Sequence, residues 1–193
     1  FYSGDDFHVK LNGSIGMAVK KLNITDLEQE VLIDPTVAVG TQNGSGIDNG
    51  DISYVDNPDG TINGISIKVS ENDAENKVYL LNLGNGLSAA NTNESEVDFS
   101  GSPRGWLKVK FLRDANGYKM QYAEVDSPTY TEVLIAKQPT HNFTFFSFNT
   151  DEVVNVEPAN EKWDLNFTTF TDYVDFGNGN VSFTVPDFAA INN

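Results

Sequence analysis

The side chains in this sequence best suited to hold a soft or borderline metal ion are two histidines, His8 and His141, and two methionines, Met17 and Met120. Imidazole nitrogen and thioether sulfur both ligate iron, and the seven tyrosines add phenolate oxygens to the inventory. Cysteine is absent, so these residues hold no thiolate ligand, thiol nucleophile, disulfide or lipid-carrying Cys. Hard oxygens for calcium occur in Asp48-Asn49-Gly50-Asp51 and Asp56-Asn57-Pro58-Asp59-Gly60. Neither stretch has the alternating ligand spacing that ends in a distant Glu. Asp and Asn also favour turns for purely local reasons, so no metal loop is read there. The chain has no G-x-S-x-G, no H-E-x-x-H and no Gly-rich phosphate loop. With 28 acidic residues, carboxylate pairs arise by abundance alone, and the reading is that the protein is not an enzyme.

Charge narrows the partners. Lys and Arg total 12 against 28 Asp and Glu, a net charge of −16, and only Arg104 and Arg113 are arginines. Phosphate backbones and anionic lipid surfaces both recruit clustered cations, so nucleic acid and a direct membrane-surface role are set aside. No apolar run reaches the roughly 18 residues of a membrane span. The sequence opens at Phe1 with no initiator Met and no signal peptide, which is the expectation for a mature or truncated product whose targeting signal lay upstream. Abundant Asn, with 22 residues, and 16 Gly point to an exported protein.

The elements that must position these donors have a period of two. Phe7, Val9 and Leu11 alternate with His8 and Lys10, and Ile15, Met17 and Val19 with Gly16 and Ala18. The same pattern covers 65–69, 78–81, 106–112 and 118–122. Further strand candidates are 132–137, 142–148, 153–157, 163–170 and 181–185. Such runs, separated by Gly, Asn, Asp and Pro, predict an all-β antiparallel fold of two packed sheets. Asp114-Ala115-Asn116-Gly117 predicts a hairpin that joins 108–113 to 118–125, with Tyr118, Met120 and Tyr122 inside. Asn57-Pro58-Asp59-Gly60 and Gly177-Asn178-Gly179-Asn180 read as further turns. Thr25-Asp26-Leu27-Glu28 fits a capping box and predicts one short helix ended by Asp34-Pro35. The polar stretch 88–105 reads as a long surface excursion. On this pattern Met17 and Met120 are core residues, and His8 is solvated on the polar face opposite Phe7 and Val9. Trp106 and Trp163 head strands, where each packs between sheets or offers an aromatic platform.

A shift of 166 residues lays Phe1 on Phe167, Asp6 on Asp172, Phe7 on Tyr173, Asn12 on Asn178 and Gly13 on Gly179. Residues 142–170 run NFTFFSFNTDEVVNVEPANEKWDLNFTTF, an aromatic strand, a turn, a second strand and Trp163-Asp164-Leu165-Asn166-Phe167. This resembles the opening of HmuY-like proteins, which are outer-membrane-associated haem-binding lipoproteins of the Bacteroidetes, all-β in fold. Residues 108–122 resemble the closing hairpin of the same family, and residues 1–13 the stretch after its Trp-Asp motif. The order and the offset suggest a tandem protein. Residues 1–138 would be most of one unit, and 139–193 the opening strands of a second unit or of the same sheet system. A single β-domain is the alternative, and it would give residues 1–13 and 167–179 unrelated paths.

The resemblance implies a non-enzymatic cell-surface lipoprotein that captures haem and delivers it to a TonB-dependent receptor of the outer membrane. The region that carries the iron ligands in the family matches residues of about 50–75 here, which contain neither His nor Met. No family ligand therefore carries over. The cofactor-binding candidates left from the inventory are His8 and Met120. A bis-ligated haem at His8 requires a second donor side chain facing it across an open, aromatic-lined cleft. The competing expectation is an accessory or structural subunit of an outer-membrane complex that keeps the fold and lacks a haem site. A glycan-binding β-module rests on Trp, Tyr, Asn and Asp content alone.

Overall fold

The computed structural model of the chain describes residues 1–43, 46–48, 50–58, 67–86, 101–175 and 180–191. Its strands in chain order are β1 (His8–Val9), β2 (Ala18–Lys21), β3 (Thr41–Asn43), β4 (Gly46–Asp48), β5 (Ile67–Lys68), β6 (Val78–Asn82), β7 (Trp106–Asp114), β8 (Gly117–Glu124), β9 (Thr131–Ala136), β10 (Phe145–Ser147), β11 (Glu152–Val154), β12 (Leu165–Asp175) and β13 (Asn180–Ile191). Every pairing is antiparallel. The fold is all-β, and among the described residues no helix is long and apolar enough to cross a membrane. The predicted turns at 57–60 and 177–180 and most of the excursion at 88–105 fall outside the described residues.

The frame is one five-stranded sheet in the order β2-β6-β7-β8-β9. The remaining strands form two-stranded ribbons, β1-β5, β3-β4, β10-β11 and β12-β13, so the covering layers are ribbons and irregular chain. Both faces of the sheet are covered. Val19, Tyr79, Leu81, Leu107, Val109, Phe111, Met120 and Ile135 point to an inner face. Ala18 and Leu80 point to the other, where Val31, Val37, Val39 and Val55 close over them. This explains β6, whose first four residues are all buried, because alternation of burial disappears when neither face is wet. Burying each such side chain contributes about 1.5–3 kcal/mol.

The hairpin at 114–117 forms in the predicted register. Phe111 pairs with Met120, Val109 with Tyr122 and Asp114 with Gly117. Tyr118, Met120 and Tyr122 are buried, with Lys119 and Gln121 on the opposite face. Gly117 sits at φ +155, and a Cβ there would stand 2.4 Å from Ile135 O.

The capping box does not start a helix. Residues 25–28 form a turn in which Asp26 Oδ1 accepts from Glu28 N at 2.9 Å. The backbone groups a helix would consume are taken by the sheet. Lys110 Nζ donates to Thr25 O at 2.8 Å, and Lys108 Nζ to Gln29 O at 2.6 Å. Val31 N donates to Val125 O at 2.8 Å. Lys108 is 0% exposed, and its Nζ also meets Ser127 O at 2.7 Å. Burial pushes its ammonium pKa down, against the pull of Asp126, Asp26 and Glu30.

The two segments related by the 166-residue shift follow different paths. The chain bends at residues 4–6 and enters a strand at His8–Val9, whereas residues 167–173 lie inside the continuous strand β12. Segments on either side of residue 138 also pack together. Tyr2 bridges to Phe143, and Thr171 Oγ1 donates to Gly13 O at 3.1 Å.

Two variants test this frame. Gly84 sits at φ +70, and a Cβ there would lie 2.0 Å from Ile15 O. Gly84→Ala is expected to lower unfolding stability by about 2 kcal/mol or more, read from urea titrations. The Tyr118 hydroxyl donates to Tyr2 O at 2.8 Å and to His8 O at 3.1 Å, and accepts from His8 N at 3.2 Å. Tyr118→Phe is expected to cost about 1–3 kcal/mol in the same titrations. A neutral result would show that these backbone groups do not need the hydroxyl.

Candidate functional site

The inner face of the sheet is not sealed along its whole length. Between it and the chain from Asn142 to Asn166 lies a cavity of about 1090 Å³, at the upper end of the usual range for small-molecule sites. Met17, Val109, Phe111 and Met120 belong to its floor, and the phenylalanines of 143–148 with Trp163 to its roof. The roof explains an oddity of the aromatic run. Phe143, Phe145, Phe146 and Phe148 are all only half-buried, on both parities, because part of each faces the cavity.

Polar tethers hold the roof. Phe1 N donates to Thr144 O at 3.0 Å, and Thr144 N to Phe1 O at 2.8 Å. Thr144 Oγ1 donates to Ala136 O at 3.0 Å, which joins the roof to β9. Glu157 Oε1 accepts from Asn142 N at 2.5 Å and from Phe143 N at 3.0 Å. At the tip of the β10-β11 ribbon, Tyr122 OH donates to Asp151 Oδ1 at 2.8 Å, and Arg104 Nη2 to Asn149 Oδ1 at 3.0 Å. Burial, and then this bond to a carboxylate, push the Tyr122 hydroxyl pKa up to about 12, so it stays a donor. Asp151 takes the left-handed turn itself, at φ +54.

The candidate donors are distributed unequally. Met120 lines the cavity floor and is 1% exposed, so its packing role and its place at the site coincide. Met17 lines the other end of the floor, where register sets it level with Leu83, about six residues along the sheet from the Phe111–Met120 pair. His8 is not among the lining residues, so the structure does not bring His8 and Met120 to one cavity. The expectation of a solvated His8 is corrected, since the residue is 5% exposed. Tyr2 folds back over it, with ring centroids 4.4 Å apart and planes 19° from parallel, and Phe143 meets its edge. Alternation misplaces His8 because the outer side of β1 is covered by the chain that precedes it. The stacked Tyr2 ring covers one imidazole face, and Nδ1 has no hydrogen-bond partner among the described residues. Burial lowers the His8 pKa, Lys10 and Lys137 lower it further, and Asp6 opposes them. His141 lies in the turn after β9, its Nδ1 3.0 Å from Thr140 Oγ1.

Trp163 lines the cavity, while Trp106 packs against the cluster on the opposite face. Arg104, also a lining residue, was not among the candidate site residues read from the sequence. The available signal was its rarity, as one of two arginines in a strongly acidic chain. Among the described residues no group of three or more His, Asp or Glu side chains is disposed to hold a metal ion.

The buried imidazole gives a pH signature with a definite sign. Its folded pKa lies below the unfolded value of 6.5, so stability is favoured above pH 6.5 and is lost as pH falls toward the folded pKa. His8→Phe keeps a flat ring under Tyr2 and removes the titration. Between pH 7.5 and 5.5 the wild type is expected to lose more unfolding stability than His8→Phe, measured by urea titration at each pH. Equal losses would show that His8 takes up its proton without penalty. Comparison with protein-family models, with curated proteins and with solved structures finds no match for this chain.

Proposed function

We propose that this chain is a non-enzymatic binding protein that holds a largely apolar small molecule between the inner face of the five-stranded sheet and the aromatic roof. The observation that carries this reading is the cavity itself, floored by Met17, Val109, Phe111 and Met120 and roofed by phenylalanines and Trp163. The apolar part of that lining is unfavourable against water and favourable against carbon. Haem is the first ligand to test. The resemblance to HmuY-like proteins supports it, as does a lining that contains two methionines and several aromatic side chains. With His8 outside the cavity, either Met17 or Met120 would hold the iron, since register sets the two about 20 Å apart along the sheet and a single iron cannot take both. On the same resemblance, the protein would stand at the cell surface and hand its ligand to a TonB-dependent receptor.

A second reading is an accessory subunit of an outer-membrane complex. It is favoured by Leu32 and Ile33, adjacent apolar residues that are 80% and 50% exposed and directly follow Val31, a member of the cluster on the other face of the sheet.

Hemin titrated into the purified chain is expected to give a saturable, shifted Soret band with quenching of tryptophan emission from Trp163. Met17→Leu with Met120→Leu, nearly volume-conserving, should keep the fold and displace the Soret maximum. Absence of saturable binding of both hemin and an apolar dye would overturn the binding reading and leave the accessory subunit.

A further inference from the structure

The cavity is not uniformly apolar along its length. Register fixes its axis, because Leu81 pairs with Leu107 and Phe111 with Met120. Phe1 packs on Phe111 and Tyr118 at one end, and Arg104 and Leu83 lie at the other. From the level of Leu81, which lines the cavity and pairs with Leu107, to Phe111 the floor runs roughly 13 Å at the usual strand rise.

Polar groups collect at the Arg104 end. Arg104 N donates to Gly84 O, and Asn85 N to Ile15 O, which brings the Asn12–Ser14 turn to the same place. Asn12, Ser14, Asn85 and Arg104 all line the cavity there. The guanidinium is held in two directions. Nη1 donates to Leu83 O on the sheet side at 2.9 Å, and Nη2 to Asn149 Oδ1 on the roof side at 3.0 Å. These bonds engage two of its five N–H groups and fix its plane. At the opposite end, Glu157 is the single carboxylate among the described lining residues, and its Oε1 is occupied by two backbone N–H groups. Lys10 is the other cation among the described lining residues, but Arg104 is the one whose head group two hydrogen bonds hold in a fixed orientation, while the lining carboxylate is already engaged by backbone.

We propose that Arg104 determines specificity, and that the cavity takes an amphiphilic carboxylate. The carboxylate lies against the guanidinium, and the apolar body runs along the Met120 floor. This rests on the binding reading above and narrows its ligand class. An acyl chain and a porphyrin side chain can both supply such a carboxylate.

Isothermal titration of dodecanoate, dodecanol and hemin into the purified chain tests it. Dodecanoate is expected to bind at least about tenfold more tightly than dodecanol. Arg104→Gln should bring that ratio toward one, and Arg104→Lys should retain most of it, with thermal melting by circular dichroism confirming that both variants fold. Weakening of hemin by Arg104→Gln identifies porphyrin carboxylates as occupants, and weakening of dodecanoate alone identifies acyl chains. Equal binding of acid and alcohol to the wild type, or a ratio untouched by Arg104→Gln, overturns the proposal while the cavity keeps its role as a binding site. If none of the three ligands binds, the binding reading itself fails and the proposal falls with it.

Discussion

Irregular chain can cover a sheet only if its buried carbonyls find donors, and in this protein the sheet supplies them. Lys108 Nζ reaches Gln29 O and Ser127 O, and Lys110 Nζ reaches Thr25 O. Arg113 Nε reaches Val69 O, and Lys137 Nζ reaches Gly4 O and Asp6 O. The Tyr118 hydroxyl does the same for Tyr2 O and His8 O. Long side chains with a charged tip suit this work, because an apolar stem crosses the covering layer while the tip replaces the hydrogen bonds that water would have given. Phe7 shows both functions at once, lying 3.6 Å from Lys137 Nζ and 4.3 Å from the Arg113 guanidinium while both cations hold neighbouring backbone.

This use of cations shapes the surface. In a chain of net charge −16, Lys108, Lys110, Lys137, Arg104 and Arg113 all donate to backbone carbonyls. The ion pairs among the described residues are Lys20–Asp34, Arg113–Glu71 and Lys119–Glu132. Five of the twelve cations thus hold backbone together, in a chain whose acids outnumber its cations by 16. Arg104 belongs to the same system, since the bonds that tie it to Leu83 and Asn149 are also what orient it beside the cavity.

The parts of the fold legible in the sequence are those governed by local rules. The alternation of Tyr118, Met120 and Tyr122 and the turn chemistry of Asn116-Gly117 specify the β7-β8 register. Features set by distant chain were not legible. Thr25 to Glu28 has the composition of a helix start, but Lys110, 85 residues away in sequence, competes for its first carbonyl. His8 carries the signature of a wet strand face, but Tyr2 and Phe143 cover it. The candidate site divides along the same line. Met120 was readable as an inward residue, whereas the cavity it lines depends on the approach of residues 142–166, which no periodicity encodes.

The distances in sequence also set an order of assembly. Strands β6 to β9 form a meander of consecutive antiparallel neighbours, closed by short loop searches apart from the long β6-β7 connection. The covering chain instead makes contacts across more than a hundred residues, between Tyr118 and His8, Phe1 and Thr144, and Thr171 and Gly13. Contacts that close long loops carry their entropy cost before any reward, so the meander serves as the template and the roof docks on it afterwards. On that order the roof is expected to open before the meander does, and a molecule bound beneath it would act as a clasp on the final step of folding.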